Sequence, residues 1–404
     1  MSPDARGTGP EDRAPLSILA LTKSTGGLSF YNHRLLEGLA ARGFSSTTIC
    51  LSDEGDAYAG RLRASGLDAE VMPMERYAID PGGDLRLLRH VVRRVRALRP
   101  DVILMHGSKP GFLGRLAGRI TGTPAVYRQA SAPFLWRIQG ARAPLYWGLE
   151  RTARLFGGEM VALSEGARQA TLRWGVMPRD RITLIRTGID TAAFAPRGRR
   201  DATLRELGLD PDRPVVGWLG RMEPQKAPLD FVAAVSGIAA RHPDAQFVMG
   251  GTGRLEGAAR EAVARAGLTD RLHLLGWQSD MARILEAFDV FVLSSLWEGL
   301  PIALLEAMAA GCVPVSTTVD GCVDVVRDGV DGRLVAPGDP AALGAAISDV
   351  LSDPAGLDAM AAAARDRVCR EFDRERMLAE WSRLLTRLAA RRPAGRPDLA
   401  ETRA

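Results

Sequence analysis

Two glutamates, Glu298 and Glu306, stand eight residues apart around the tripeptide Gly299-Leu300-Pro301. An ionised carboxylate only accepts hydrogen bonds, which suits it to sugar hydroxyls. Asp289 to Leu293, just before them, is a short run of mostly β-branched or aromatic residues, the pattern of a buried strand. Ser294 to Gly299 is turn chemistry, and Pro301 suits the first turn of a helix. Ile302 to Ala310 are helix formers, and Gly311 is placed to end them. In such a strand–loop–helix unit the free N–H groups between Gly299 and Ile302 make a seat for an anion, most simply a diphosphate. Glu306 beside that seat would hold a ribose, and Glu298 would face a group being transferred. The plainer alternative is a pair of solvent-facing glutamates on an ordinary αβ unit.

The cations are placed in a related way. All 53 basic residues except Lys23, Lys109 and Lys226 are arginines. Each lysine falls in a Gly- or Pro-containing loop after an expected strand: T-K-S-T-G-G, H-G-S-K-P-G and R-M-E-P-Q-K. Open parallel sheets bind ligands at those strand ends. A compact ammonium suits a phosphate there and is not interchangeable with arginine. Nucleotide bias in the source, or chance, would account for the skew without chemistry. His106 follows the strand expected over Asp101 to Met105 and so faces the same edge. Gly26-Gly27 opens a helix where the backbone can approach a ligand closely, although turns use double glycines constantly.

These residues need a frame of alternating strands and helices. In the first half, strands are expected at Leu16 to Leu21, Ser46 to Leu51, Ala69 to Met72, Asp101 to Met105, Met160 to Leu163 and Ile182 to Ile185. Helices are expected at Leu28 to Arg42, stopped by Gly43, and from Pro110 to Gly118. Asp84 to Leu98 reads as a helix with Leu85, Leu88, Val91, Val92, Val95 and Leu98 on one face. Its other face carries Arg86, Arg89, Arg93, Arg94 and Arg96, fit for solvent or an anionic membrane. Ala132 to Phe156 interleaves Phe134, Trp136, Tyr146 and Trp147 with Arg137, Arg142, Arg151 and Arg154. That mixture suits a lipid interface or a helix pair packed on a sheet. The second half repeats the alternation, with strands at Pro214 to Leu219, before Gly250, at Leu272 to Leu275 and at Val313 to Thr317. Asp373 to Leu388 closes it as an amphipathic helix.

Four hundred and four residues suggest two domains, and 46% hydrophobic with 25% charged residues is ordinary globular composition. No apolar run approaches the roughly 18 residues of a membrane span, and the polar start is no signal peptide. Cys50, Cys312, Cys322 and Cys369 show neither metal nor disulfide spacing, which reads as a reducing cytoplasm. Residues 1–200 hold 30 Lys and Arg against 18 Asp and Glu, net +12, whereas residues 201–404 hold 23 against 30, net −7. A basic first half implies an anionic partner. No zinc-finger, RNA-recognition or basic-zipper pattern supports nucleic acid.

Several stretches resemble one family. Glu298 and Glu306 look like the E-x7-E element of retaining glycosyltransferases with the GT-B fold, the large family 4. H-G-S-K-P-G-F-L-G-R-L-A-G, from His106, resembles the H-S-S-K-A-G-x-L-G-R-L-A-A element of members that extend sugars on a polyprenyl-diphosphate carrier, with Gly107 and Pro110 as departures. Ser164-Glu165 resembles the family's V-S-E, and R-T-G-I-D its N-G-I-D with Thr187 replacing Asn. G-R-M-E-P-Q-K-A matches G-R-L-x-x-x-K-G, with Ala227 where glycine is usual. M-G-G-T-G-R-L-E resembles the G-x-G loop near donor phosphates; a dinucleotide-binding G-x-G-x-x-G fails at Glu256. Asp210-Pro211-Asp212 is the one literal D-x-D, and the proline before a strand marks it as a turn.

The resemblance implies an α/β GT-B fold of two Rossmann-like domains facing a cleft. The expected division is a disordered tail over 1–14, an acceptor-binding domain over 15–195 and a nucleotide-sugar-binding domain over 201–371. A crossover helix over 372–390 and a second tail over 391–404 complete it. The implied reaction is retaining transfer of a sugar from a nucleotide sugar to a hydroxyl, the leaving phosphate helping to deprotonate the acceptor, with no metal and no cofactor. Arg221 and Lys226 would grip the diphosphate, His106 would contact the donor sugar, and Glu298 would orient its hydroxyls. Gly26, Gly27, Gly253, Gly299, Leu300, Pro301 and Glu306 would line the donor site, with Trp277 where the base packs. Lys109 and Lys23 would meet the acceptor, expected to be a lipid-diphosphate-linked glycan of cell-surface polysaccharide synthesis. The expected place is the cytoplasm, peripheral on the anionic inner face of the plasma membrane. A soluble-acceptor transferase and a nucleotide-sugar 2-epimerase of the same fold are the alternatives.

Overall fold

The apolar runs form strands that pair in parallel throughout. The computed structural model describes residues 15–23, 27–52, 57–74, 80–129 and 140–391. Gly26, the aromatic-basic residues Phe134, Trp136 and Arg137, and the two expected tails except Arg391 lie outside the described residues. The first sheet contains β1 (Ser17–Lys23), β2 (Ser45–Ser52), β3 (Asp68–Pro73), β4 (Val102–His106), β5 (Ala125–Gln129), β6 (Glu159–Ala162) and β7 (Ile182–Leu184). Its order is β3-β2-β1-β4-β5-β6-β7. The second contains β8 (Val215–Leu219), β9 (Gln246–Gly250), β10 (Leu272–Gly276), β11 (Val290–Leu293), β12 (Val313–Thr317) and β13 (Arg333–Val335), in the order β10-β9-β8-β11-β12-β13. Central strands such as β4, β8 and β11 are buried along their whole length, which is why they read as continuous apolar runs.

Each sheet reverses its strand order once, between β1 and β4 and between β8 and β11. Chains leaving the two central strands then diverge, and a crevice opens at their carboxyl ends. Lys23 and His106 end the first pair; the loops carrying Arg221 and Glu298 follow the second.

Two local expectations need correction. In the helix Pro81–Leu98 the buried stripe is Leu87, Val91 and Val95, spaced four apart, whereas Leu85 and Leu98 are exposed. The basic face stands as a face, except that Arg94 turns back to Glu70 at 3.0 Å. Pro301 occupies the N-cap of the helix Ile302–Ala310 instead of its first turn, with extended backbone.

The helix Arg374–Ala389 returns to the first half of the chain. Its Met377, Leu378, Trp381, Leu384, Leu385 and Leu388 share a core with Leu35, Leu39 and Leu104. Trp381 donates its indole N–H to the Tyr31 hydroxyl at 3.0 Å, and that hydroxyl bonds Met377 Sδ at 3.3 Å. The chain crosses at Gly188, where a Cβ would lie 2.6 Å from the Asp373 carbonyl oxygen. Backbone bonds from Ile189 to Phe372 and from Arg374 to Ile189 fix the crossing. A large aromatic fully enclosed in a core costs about 3–5 kcal/mol to truncate. Trp381→Ala is expected to destabilise by that amount in urea unfolding followed by circular dichroism; a loss below about 1 kcal/mol would mean the helix is not docked as described.

Candidate active site

The loops after β8 and β11 are tied together before any ligand is considered. Gln225 donates its side-chain amide to the Trp297 carbonyl at 3.0 Å and accepts from the Leu296 N–H on its own carbonyl at 2.8 Å. The Ser294 hydroxyl bonds the carbonyls of Lys226 and Ala227, each at 2.9 Å, and accepts from the Trp218 indole at 3.0 Å. Ala227 is held at φ 45°, ψ 57°, the left-handed region that a glycine adopts without strain. Within this frame Lys226 Nζ meets Glu298 Oε1 at 2.5 Å, both side chains mostly buried. Ser295 donates to the same oxygen at 2.7 Å. Both contacts fall on Oε1. Arg221 is exposed, with one long bond of 3.4 Å to the Gln225 side chain.

The glycine loop after β9 packs directly on the Arg221 loop. A Cβ on Gly253 would lie 2.6 Å from the Met222 carbonyl oxygen, and one on Gly251 would overlap the Gly220 carbonyl. The need for glycine at 253 is therefore met by backbone packing. Glu223 clamps the loop further through Arg254 at 2.6 Å. Gly299 and Leu300 press against Gly321, whose Cβ would lie 2.4 Å from the Gly299 carbonyl oxygen. Trp277, after β10, is exposed. Glu306 is largely buried, and burial holds its carboxyl up at about 7, with Arg34 of the helix Gly27–Ala40 offsetting part of the rise. A donor side chain from the first half thus acts on the second.

The first half encloses the histidine that ends β4. His106 has no exposed surface, and neither ring nitrogen has a hydrogen-bond partner. Burial, then the Arg128 cation, drives its pKa well below the ordinary histidine range, so the ring is neutral. Lys109 pairs with Asp84 at 2.8 Å. Lys23 ends β1 and Gly27 opens the following helix. The halves meet where the helix Glu165–Arg173, capped by Ser164, directs the Glu165 N–H onto the Asp324 carboxylate.

Arg128, Arg34, Ser295 and Gln225 were not singled out from the sequence. For Arg128 a signal existed: a charged residue interrupts the apolar run of β5 near its carboxyl end. The others act through geometry between distant loops, which spacing does not report. Asp210-Pro211-Asp212 is a turn, with the Asp212 N–H bonded to the Asp210 carboxylate at 3.0 Å.

Comparison with known proteins gives the same outline. Residues 213–353 match the family model described as Glycosyl transferases group 1, and residues 25–193 match that of Glycosyltransferase Family 4. A UDP-Gal:alpha-D-GlcNAc-diphosphoundecaprenol alpha-1,3-galactosyltransferase from Escherichia coli is 32% identical over 257 residues, covering 62% of this chain and 66% of that protein, just under two thirds of its length. An alpha-maltose-1-phosphate synthase from Mycobacterium tuberculosis is 34% identical over 293 residues, covering 67% and 75%. The crystal structure of Anabaena HepE in complex with UDP superposes with a TM-score of 0.81 at 20% identity, over 92% of this chain and 100% of that one. That likeness shows the fold, GT-B.

The Glu306 carboxyl makes a stability prediction. Its folded pKa of about 7 lies above the unfolded value of 4.5, so the folded chain holds the extra proton between them. Stability from this group is therefore full below pH 4.5 and lost as pH rises through 7, by about 3 kcal/mol at most. Glu306→Gln is expected to melt higher than wild type at pH 8 and level with it near pH 4.5. Parallel melting curves for the two proteins across that range would reject the buried carboxyl.

Proposed function

The chain belongs to the group 1 glycosyltransferases of family 4, and from that premise we propose that it transfers a sugar from a nucleotide-sugar donor, with retention, to a hydroxyl of a lipid-diphosphate-linked glycan. The observation behind this reading is the meeting of Lys226 and Glu298 at 2.5 Å in the crevice between β8 and β11, with exposed Arg221 alongside. Departure of a nucleoside diphosphate builds negative charge, and prepositioned cations stabilise it most in the transition state. Arg221 and Lys226 supply that charge. Glu298, anchored through Oε1, offers Oε2 to the hydroxyls of the sugar being moved. Glu306 holds ribose hydroxyls one helix turn away from the diphosphate seat, and Trp277 stacks on the base. The leaving phosphate takes the acceptor proton, and no step passes through a metal.

Support for the acceptor comes from the His106 element and from the Escherichia coli relative, whose name specifies a diphosphoundecaprenol substrate. Support for a membrane contact comes from the first half's surface. Arg86, Arg89, Arg93 and Arg96 are exposed beside Leu85, Leu98 and Ile120. Each basic residue near an anionic leaflet contributes about 1 kcal/mol, so four in register give reversible attachment. Among the described residues no helix is long and apolar enough to cross a membrane.

Arg221→Ala and Lys226→Ala are each expected to lower turnover about 10²–10³-fold; near-normal activity in both would remove them from the mechanism. Glu298→Gln is expected to lower mainly kcat and Glu306→Gln to raise mainly KM, because only the first touches the reacting sugar. The reverse pattern in steady-state kinetics would exchange their roles.

The acceptor is tested by sedimentation with liposomes of varied anionic content and salt, and by assay on matched acceptors. Salt-sensitive binding and a requirement for the diphosphate are expected. Indifference to lipid charge with equal activity on a water-soluble sugar would favour a soluble acceptor, and release of free nucleotide without any acceptor would favour an epimerase.

A further inference from the structure

Two arginines of the first half are almost wholly enclosed, and only one of them has a carboxylate partner. Arg115 is fully buried and meets the Glu150 carboxylate at 2.7 Å, with Tyr127 completing the cluster. That is the ordinary condition for a buried cation, since an unpaired one is costly to desolvate. Arg128, 4% exposed at the end of β5, has no carboxylate within ion-pair distance among the described residues. Its guanidinium carbon lies 3.4 Å from the centroid of the Tyr31 ring, so one face is stacked. The in-plane edge is left to hydrogen bonding, and there Nε has no partner and Nη2 has a long 3.4 Å bond to the Thr187 hydroxyl.

The neighbour of Arg128 is similarly unsatisfied. His106 is its register partner across β4 and β5, packs edge-on to the same Tyr31 ring at 6.2 Å, and has both nitrogens unpartnered. Three unpartnered nitrogens therefore sit on two register partners that both pack on one tyrosine, at the carboxyl ends of adjacent central strands. Arg128 supplies charge and parallel donors, and His106 supplies an N–H. Parallel donors on a planar guanidinium match the two oxygens of a carboxylate or phosphate.

We propose that Arg128 and His106 form an oxyanion-binding subsite at the ends of β4 and β5, which takes a phosphate or carboxylate borne by a substrate. This subsite is separate from the diphosphate grip of Arg221 and Lys226, which belongs to the other sheet. The oxyanion is either the diphosphate of the acceptor or a carboxylate on one of the sugars. Both side chains are almost wholly enclosed in this structure.

The test uses full-length protein carrying both Arg221→Ala and Lys226→Ala, which removes the donor grip. Binding of inorganic pyrophosphate and of glucuronate is measured separately by titration calorimetry at physiological salt. One equivalent of one anion should bind, weakened about 10–100-fold by a further Arg128→Met and less by His106→Gln. Pyrophosphate binding would identify a phosphate-bearing substrate, and glucuronate binding a sugar acid. No binding of either anion while Arg128 is intact overturns the proposal, and that measurement does not depend on whether Arg128→Met folds. Equal binding with and without Arg128→Met or Arg128→Lys, each checked by thermal melting, overturns it too. No donor or transfer reaction is involved, so the outcome is independent of the transferase reading.

Discussion

A parallel sheet cannot return to its starting edge without a crossover, and a reversal of direction leaves two neighbouring strands whose outgoing chains part company. The remaining features of this chain depend on that constraint acting twice. In the second sheet the parting at β8 and β11 sets the Arg221 and Glu298 loops on either side of one crevice. In the first it sets Lys23 beside His106, joined in the register of Thr22 with His106. Side chains distant in sequence become neighbours because backbone hydrogen bonding fixes the strands that precede them. Loop-to-loop bonds through Gln225 and Ser294 then remove the remaining freedom.

What was legible in the sequence follows from the same physics. Strands buried on both faces must be apolar throughout, so β1, β4, β8, β11 and β12 were readable nearly to the residue. In the second half, the motifs that carry Arg221 with Lys226 and Glu298 were readable because each lies in one short contiguous loop, after β8 and after β11. The first half was less so. His106 was expected at a ligand-facing edge and does end β4, but burial depends on what the helix Gly27–Ala40 and the returning Arg374–Ala389 lay over it. That packing joins residues 31, 106, 128 and 381, a separation that no local pattern encodes. The stripe of the helix Pro81–Leu98 was misplaced for a related reason. Of the six apolar residues expected on one face, Leu88, Val91, Val92 and Val95 pack on the core and Leu85 and Leu98 are exposed, while Leu87, not among the six, is buried; only contact with the sheet makes that selection.

The departures from family pattern can be weighed individually. Ala227 takes up the left-handed conformation that its usual glycine would hold freely, at about 1–2 kcal/mol of strain. The conformation is kept because the Ala227 carbonyl accepts from Ser294 and the Lys226 carbonyl beside it does the same. Backbone geometry at the cation loop is thus imposed by its partners in the β11 loop, and the side-chain identity at 227 is secondary. Thr187, standing where asparagine is usual, loses an amide but keeps a hydroxyl that Arg128 reaches. The loss of an amide and the presence of a buried arginine fall within one contact.

The Lys226–Glu298 pair also bears on how the crevice handles charge. A largely buried ammonium without a partner would bind any anion strongly and hold a departing diphosphate too well. Pairing with Glu298 at 2.5 Å neutralises it in the resting protein, and the Ser295 hydroxyl keeps the carboxylate in place. Arg221 is exposed, so its charge acts through solvent and is screened by salt. In the proposed transfer, loops paired in this way would be nearly neutral towards an intact donor and increasingly favourable as charge moves onto the diphosphate. Stabilisation that grows along the reaction, and is small at its start, is the kind that raises turnover and does not simply tighten binding.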